Sequence, residues 1–228
     1  MKPNLMILGA SGGLANAVLH SLVHHRNLFN RLILLDKNKK VLRNPYLNHQ
    51  NLKYGFIHKE LRSERMKEYQ TLLKKHKINI VLDLTDALTI PLIITTNRAG
   101  IDYINTSIND DNKTSPELLS EIFSKRSAWK KARTILCSGM NPGNVNMWAR
   151  HGIDKYGVPK EIIHFEYDTS MSRKWKAMIT WSIREFIQED IHDPGGIVLG
   201  KDKIKWLYPN ALSHQVEMKS ILSPILKL

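Results

Sequence analysis

The stretch that decides the fold is residues 5–15, which read LMILGASGGLA. Its apolar first part predicts a strand, which leads directly into a glycine-rich turn and then a helical pattern. Glycines let such a turn approach a pyrophosphate, and a small residue, Ala15, lets the helix pack on its strand. Free N–H groups at the helix start can then meet the phosphates. The turn therefore predicts a dinucleotide site, with candidate contacts at Gly9, Ser11, Gly12, Gly13 and Leu14.

Asp36 closes the next predicted strand, residues 32–35. An acid at this distance from the turn can accept hydrogen bonds from the adenosine ribose hydroxyls. This favours NAD over NADP as cofactor, because the 2′-phosphate of NADP would face a carboxylate. Lys37, Lys39 and Lys40 follow at once and weaken that preference.

The spacing of the turn is G-x-x-G-x-x-A rather than G-x-G-x-x-G, so the glycines alone are a weak signal. A strand before them, a helix after them and an acid at the end of the next strand strengthen the interpretation. The alternative is a glycine-rich turn of an α/β domain that binds nothing.

The composition is that of a folded protein from a reducing compartment. The chain has 228 residues, of which 42% are hydrophobic, and this suffices for a core. The single cysteine, Cys137, has no partner within the chain, so a disulfide framework is not expected and a cytoplasmic location fits. The first apolar run is too short for a signal or membrane helix, so we expect no targeting segment and no membrane association.

The formal charge of +13 raises the hypothesis of nucleic-acid binding. The lysines are scattered, however, and the densest basic segments, 74–77 and 130–131, fall at the ends of predicted helices. There they complement the helix dipole. No basic patch with interleaved aromatic residues is present in the sequence, so we expect no specific nucleic-acid partner.

His20 and His24 stand four residues apart on the first predicted helix, a spacing that can hold a metal ion. The sequence offers no evident third ligand. A surface or packing role is therefore expected, and no metal site is predicted.

Strands and helices alternate along the first part of the chain. This alternation predicts an α/β fold with a doubly wound parallel sheet of the Rossmann type. The pattern changes near Asn141, which predicts a dinucleotide-binding domain over 1–140 and the start of a second α+β domain over 141–228. The further predicted strands are 53–58, 78–84, 101–105, 134–137 and 160–169, and the further predicted helices are 63–76, one ending at Gly100, 115–132 and 144–156.

Ligands of such sheets bind at the carboxyl ends of the strands. This rule adds Thr85, Asp86, Thr106 and Asn141 to the candidate cofactor contacts. Each also has a structural interpretation. Asp86 as a helix cap is favoured over a direct catalytic role, Thr106 can close a loop, and Asn141 can be an N-cap with Pro142 at the first helical position.

Three later segments are more specific: GMNPG at 139–143, EYDT at 166–169, and TWS at 180–182 with Glu189 beyond it. Together with the glycine turn they resemble the homospermidine synthase family, within the saccharopine-dehydrogenase-like group of NAD-dependent proteins. The resemblance runs to about residue 190. It implies that bound NAD takes a hydride from the carbon beside an amine of the diamine putrescine. The iminium that remains loses ammonia or is attacked by a second amine, the hydride returns, and homospermidine is formed.

Carried over by position, the resemblance places Asn141 beside the nicotinamide, Glu166 and Glu189 on the diamine, and Trp181 against the cationic intermediate. One departure concerns Asn109, which stands where the family has a carboxylate, so that amine anchor is missing or is moved to Asp110. The family's chains are also longer. We therefore expect a homodimer or association with a separate C-terminal portion.

Trp181, Glu185 and Glu189 fall at four-residue spacing, so on one helix they would share a stripe and could present an aromatic face and two acids to a diamine. The alternative is a solvated helix face with an ordinary core tryptophan. Two other functions stay open: a dinucleotide-binding module without catalysis, and a related reductase of amino-acid imines. The reductase would need arginine side chains to bind the carboxylate of its amino-acid substrate, and Arg173 and Arg184 are the nearby candidates.

Overall fold

Strands and helices alternate through most of the chain that the computed structural model describes, namely residues 2–48, 52–164, 173, 182–193, 197–199, 204–206, 210 and 213. The strands of the main sheet are β1 (Asn4–Leu8), β2 (Arg31–Asp36), β3 (Tyr54–His58), β4 (Ile80–Asp83), β5 (Asp102–Asn105) and β6 (Thr134–Ile135). The helices that accompany them are α1 (Gly13–His24), α2 (Met66–Lys75), α3 (Thr89–Ala99), α4 (Ser115–Lys125) and α5 (Asn144–Tyr156).

The six strands form one parallel sheet in the order β3-β2-β1-β4-β5-β6. The strand order reverses beside β1, which creates the crevice where doubly wound folds bind ligands. The predicted α/β fold with a parallel, doubly wound sheet is confirmed.

Both faces of the sheet are covered, because successive residues of a strand point to opposite sides. On one face, Met6 and Leu8 join a buried cluster with Tyr69 and Leu73 of α2. On the other face, Ile7 lies in a second cluster that contains residues of α1. The near-continuous apolar runs of β1 and β2 follow from this burial on both sides.

Several predicted elements are longer than those observed. A 3₁₀ turn, Ser63–Arg65, precedes α2, and α4 ends at Lys125 with a 3₁₀ turn after it. The predicted strand 134–137 is reduced to β6, because Cys137 has a φ of +55°, which a strand cannot accommodate. Residues 160–164 of the predicted strand 160–169 pair with no strand among the described residues, and the rest of it lies outside them.

The chain divides into two compact units, one of Met1–Lys113 with Glu117–Thr169 and one of Thr114–Pro116 with Ser170–Leu228. The first holds the six-stranded sheet and α5, and it extends past the boundary at 140 that the sequence predicts. That functional boundary stays a prediction. The second holds α6 (Ile183–Ile187), a π-helical turn (Gln188–His192) and an antiparallel pair of β7 (Ile197–Leu199) and β8 (Ile204–Trp206).

The helices that the structure describes include none that is both long and apolar enough to span a membrane.

Candidate functional site

The glycine turn begins at the point where three strands end. Gly9 has a φ of +74°, and its N–H donates to the carbonyl oxygen of Leu35 at 3.0 Å. A Cβ on Gly9 would lie 2.7 Å from the carbonyl oxygen of Leu84. Only glycine fits a position with this backbone conformation and this close approach. The turn is therefore held between the carboxyl ends of β1, β2 and β4.

The start of α1 is open towards solvent. Gly12 is the N-cap of α1 and offers no side chain to the N–H groups of the first turn. A Cβ on Gly13 would meet nothing within 4 Å, and Leu14 is 51% exposed. A helix start with uncovered N–H groups and room in front of them fits a pyrophosphate. The predicted pyrophosphate contacts of this turn stay a prediction.

Asp36 joins the turn to the end of β2. One carboxylate oxygen accepts from the N–H of Ser11 at 2.8 Å, and the other accepts from the N–H of Asn38 at 2.6 Å. The Ser11 hydroxyl donates to the carbonyl oxygen of Asn38 at 2.7 Å. Each carboxylate oxygen has a second lone pair, so Asp36 can still accept hydrogen bonds from a ligand.

A small surface depression lies beside the ends of β2 and β3. Its lining includes apolar Leu35, Leu61 and Leu72 and the basic side chains of Arg62 and Arg65. The sequence reasoning missed it, because its walls come from segments far apart in the chain.

The end of β4 carries a buried carboxylate that the sequence reasoning also missed. Asp83 accepts from the N–H of Thr85 at 3.0 Å, from the Thr85 hydroxyl at 2.6 Å and from the hydroxyl of Tyr103 at 2.6 Å. Burial raises the pKa of Asp83 to about 6, against the effect of these hydrogen bonds. The signal in the sequence was an acid at the end of an otherwise apolar strand.

Asp86 is exposed near the carboxyl end of β4, but it does not cap α3. The helix begins at Thr89, its N-cap is Leu88, and the cap makes no side-chain hydrogen bond. The N–H of Thr89 instead donates to the carbonyl oxygen of Asn109 at 3.0 Å. The cap interpretation of Asp86 is wrong, because a neighbouring loop supplies the acceptor. Its role as a cofactor contact stays a prediction.

Asn109 is a buried structural residue. It is 4% exposed, and its N–H donates to the Thr89 hydroxyl at 2.8 Å. Its side-chain amide points towards the carbonyl oxygen of Thr85, at 3.4 Å, and the hydroxyl of Ser107, at 3.3 Å. These contacts explain an amide at this position, since a carboxylate could not donate to either oxygen.

Thr106 and Asn141 lie near the carboxyl end of β5. The tight turn at 139–143 packs on this end: a Cβ on Gly139 would lie 2.9 Å from the carbonyl oxygen of Thr106. Asn141 is exposed, and its peptide bond to Pro142 is cis. The predicted N-cap at Asn141 is wrong. Gly143 caps α5 instead, with a φ of +138° that other residues rarely adopt.

The residues predicted to contact the diamine are described only in part. Trp181 and Glu166 lie outside the described residues. Glu189 is exposed and lies in the π-helical turn Gln188–His192. Glu185 lies in α6 and Glu189 in the π-helical turn after it, so these two acids do not share one α-helix. The predicted place of Trp181 beside them lies outside the described residues.

His20 and His24 pack as an aromatic pair. Their ring centroids lie 5.1 Å apart in an edge-to-face arrangement, and His20 lies 4.8 Å from the ring of Tyr46. These contacts agree with the expected packing role.

The chain has weak likenesses to solved structures. It is similar to UDP-glucose-4-epimerase from Stenotrophomonas maltophila, with bound NAD and formylated UDP-arabinopyranose, at 11% identity and a TM-score of 0.45, over 59% of this chain and 52% of that one. It is also similar to yeast methylglyoxal/isovaleraldehyde reductase complexed with NADPH, at 11% identity and a TM-score of 0.40, over 58% of this chain and 56% of that one. The chain thus spans about half the length of both.

A match to a protein family covers the sheet and the turn just described. No curated protein matched the chain. Residues 5–137, more than half of the chain, match the family described as Saccharopine dehydrogenase NADP binding domain. The match includes the glycine turn, Asp36 and the ends of β4 and β5. The chain therefore belongs to the family of the Saccharopine dehydrogenase NADP binding domain.

Proposed function

We propose that this chain binds NAD, with the pyrophosphate at the start of α1 and the adenosine ribose at Asp36. The observation that carries the proposal is the position of the Asp36 carboxylate, which the N–H groups of Ser11 and Asn38 fix beside the turn. A ribose hydroxyl can donate to this carboxylate, whereas a 2′-phosphate would meet a like charge.

One of the lysines after Asp36 does not act against the preference for NAD over NADP. The ammonium group of Lys37 lies 3.7 Å from a carboxylate oxygen of Glu60, so it has an acidic partner on the neighbouring loop.

Titration calorimetry with NAD and NADP tests the preference. We expect tighter binding of NAD to the unaltered chain and loss of most of that difference in Asp36→Ala. Asp102→Ala is the matched control. Asp102 starts β5, three strands away from β2 in the sheet, and pairs with Arg133. Tighter binding of NADP by the unaltered chain would contradict the assignment to NAD.

For the reaction, we propose transfer of the aminobutyl group of one putrescine to an amine of a second putrescine, with release of ammonia, to give homospermidine. When bound, NAD supplies a reversible hydride acceptor. Support comes from the sequence resemblance at 139–143, 166–169 and 180–182. In this proposal Glu166 and Glu189 bind the diamine as a cation and accept its proton, and Trp181 offers its ring to the cationic intermediate. The chain carries a net charge of +13, so a diamine needs such a locally acidic site.

The purified chain, incubated with NAD and putrescine, tests this reaction when the products are analysed by mass spectrometry. We expect homospermidine from the unaltered chain and none from Trp181→Ala, which should still bind NAD. Homospermidine formation by Trp181→Ala at the normal rate would reject the role of the indole ring.

A dinucleotide-binding module without catalysis is the second candidate. One observation favours it. Asn109, at the position where the resembling family has a carboxylate, is buried and donates towards Thr85 and Ser107. A folded chain that binds NAD but forms no homospermidine would support this candidate. A related reductase of amino-acid imines would instead oxidise reduced NAD when an imine substrate is added.

A further inference from the structure

Asp83 is the buried acid at the centre of a polar cluster in the core. It is 3% exposed and lies at the last position of β4. One carboxylate oxygen accepts from both the N–H and the hydroxyl of Thr85, and the other accepts from the hydroxyl of Tyr103. A carboxylate so enclosed has no route to a ligand. Its effect must pass through the residues that it holds.

The segment that Asp83 holds is the loop at 84–87, which packs on the glycine turn. The Thr85 hydroxyl, besides donating to Asp83, accepts from the N–H of Ala87 at 3.2 Å. The N–H of Leu84 donates to the carbonyl oxygen of Leu8 at 3.1 Å. A Cβ on Gly9 would lie 2.7 Å from the Leu84 oxygen and 3.0 Å from a side-chain carbon of Thr85. The loop therefore forms one wall of the turn.

We propose that Asp83 is a positioning residue of the dinucleotide site: its ionised carboxylate fixes the loop at 84–87 against Gly9, and protonation of this carboxylate weakens NAD binding. The inference rests on the proposed binding of NAD at the glycine turn. Asp83 acts on the affinity for NAD without touching the cofactor.

The chemistry of the cluster gives the direction of the effect. An ionised carboxylate accepts all three hydrogen bonds, and bonds to a charged acceptor are the stronger ones. A protonated carboxyl is uncharged, so its oxygens accept hydrogen bonds less strongly. Its added hydrogen also lies on an oxygen to which Thr85 or Tyr103 already donates. The Thr85 contacts then loosen, and the wall of the turn is less well fixed.

Asp83 changes its charge within a pH range in which binding can be measured. Burial raises its pKa to about 6, and the like charge of Asp86 acts in the same direction. The groups that face it from the packed elements are Tyr69 on α2 and Tyr103 on β5. Burial raises the pKa of both phenols well above their usual value, so they stay neutral while Asp83 titrates.

Calorimetric titration of the full chain with NAD, repeated from pH 5 to pH 7.5, tests the proposal. We expect the affinity of the unaltered chain to rise about fivefold over this range, a coupling of ordinary size between two sites. Asp83→Asn, which resembles the protonated acid in shape, should bind at the weaker, low-pH affinity throughout. Asp102→Asn, the same substitution at a half-buried acid at the start of β5, should keep the normal profile.

Tyr103→Phe gives an independent measurement should Asp83→Asn fail to fold. It removes a hydrogen bond that favours the ionised form, so the pKa of Asp83 rises and the midpoint of the affinity profile moves to higher pH. A purely structural role of Tyr103 would not move this midpoint.

The outcomes separate this inference from the proposed function. An unaltered chain that binds NAD with the same affinity at every pH overturns the inference alone. The same holds if Asp83→Asn keeps the normal pH profile, or if the midpoint is unmoved in Tyr103→Phe. A folded chain that binds no NAD at any pH overturns the proposed function, and the positioning role with it.

Discussion

The backbone N–H of Ser11 donates a 2.8 Å hydrogen bond to the carboxylate of Asp36. This contact joins two segments that are 25 residues apart in the chain, the glycine turn and the end of β2. A single acid thus orders the turn and stands where a ribose would bind. Removal of the side chain should therefore affect both the stability of the turn and the choice of cofactor.

Gly9→Ala should be strongly destabilising. The new Cβ would lie 2.7 Å from the carbonyl oxygen of Leu84, at a φ of +74°. Strain at such a position costs about 1–3 kcal/mol of unfolding free energy, before the steric clash is added. Gly13→Ala is the matched control, since its Cβ meets nothing within 4 Å. Urea unfolding of both variants should show a large loss for the first and little change for the second.

Gly143→Ala should destabilise the turn at 139–143 in two ways, by the strain of its positive φ and by a steric clash with Gly139. Gly143 and Gly157 both have positive φ, of +138° and +86°. A Cβ on Gly143 would lie 2.1 Å from the carbonyl oxygen of Gly139, whereas one on Gly157 meets nothing within 4 Å. We expect Gly143→Ala to cost about 1–3 kcal/mol more than Gly157→Ala. Equal losses in thermal unfolding would show that the turn can yield.

The unfolding free energy should rise as the pH falls towards 5, through Asp83. Its pKa is raised from 3.8 to about 6 in the folded chain, so the folded state binds the proton more tightly than the unfolded state. The contribution of this acid to stability is therefore full below pH 3.8 and is lost as the pH rises through 6. From pH 7.5 to pH 5 we expect a gain of about 1.4 kcal/mol from this group.

A comparison of unfolding free energies with Asp83→Asn separates the contribution of Asp83 from those of other titrating groups. His76 contributes in the opposite direction, because burial lowers its pKa. The difference in unfolding free energy between the unaltered chain and Asp83→Asn should therefore be measured at both pH values. A difference that is constant with pH would mean that Asp83 does not titrate in this range. The expected rise in stability at low pH also separates weaker NAD binding there from simple unfolding.

The arrangement of the sheet was predictable from the sequence for physical reasons. The run at 5–8 is apolar at every position, as a strand buried on both faces requires, and the turn that follows needs glycine at position 9. The helix cap at Gly143 was not predictable in the same way. The helix 144–156 is as predicted, but the sequence offers Asn141 as its N-cap with Pro142 at the first helical position. The turn at 139–143 puts the cap at Gly143 instead, and the N–H of Asn144 donates to the carbonyl oxygen of Gly139.

The candidate site was predictable where it follows the strand ends and not where it depends on long-range contacts. Asp36 and the glycines follow from local order along the chain. The contacts of Asp83 with Tyr103 and of Asn109 with Thr89 join residues 20 positions apart, and no local pattern indicates them. Asp86 shows the converse: its place before a helix favoured a cap, but the carbonyl oxygen of Asn109 accepts from the helix start instead.

The most direct test of the account is a calorimetric titration of NAD into the unaltered chain, Gly12→Leu and Gly152→Leu. Gly12 is exposed at the start of α1, so a leucine there should block the pyrophosphate while the chain stays folded. A Cβ on Gly152 meets nothing within 4 Å, and this residue lies on α5, away from the turn. We predict saturable NAD binding to the unaltered chain and Gly152→Leu, and none to a folded Gly12→Leu. Equal NAD affinity in all three would contradict the cofactor site at the glycine turn.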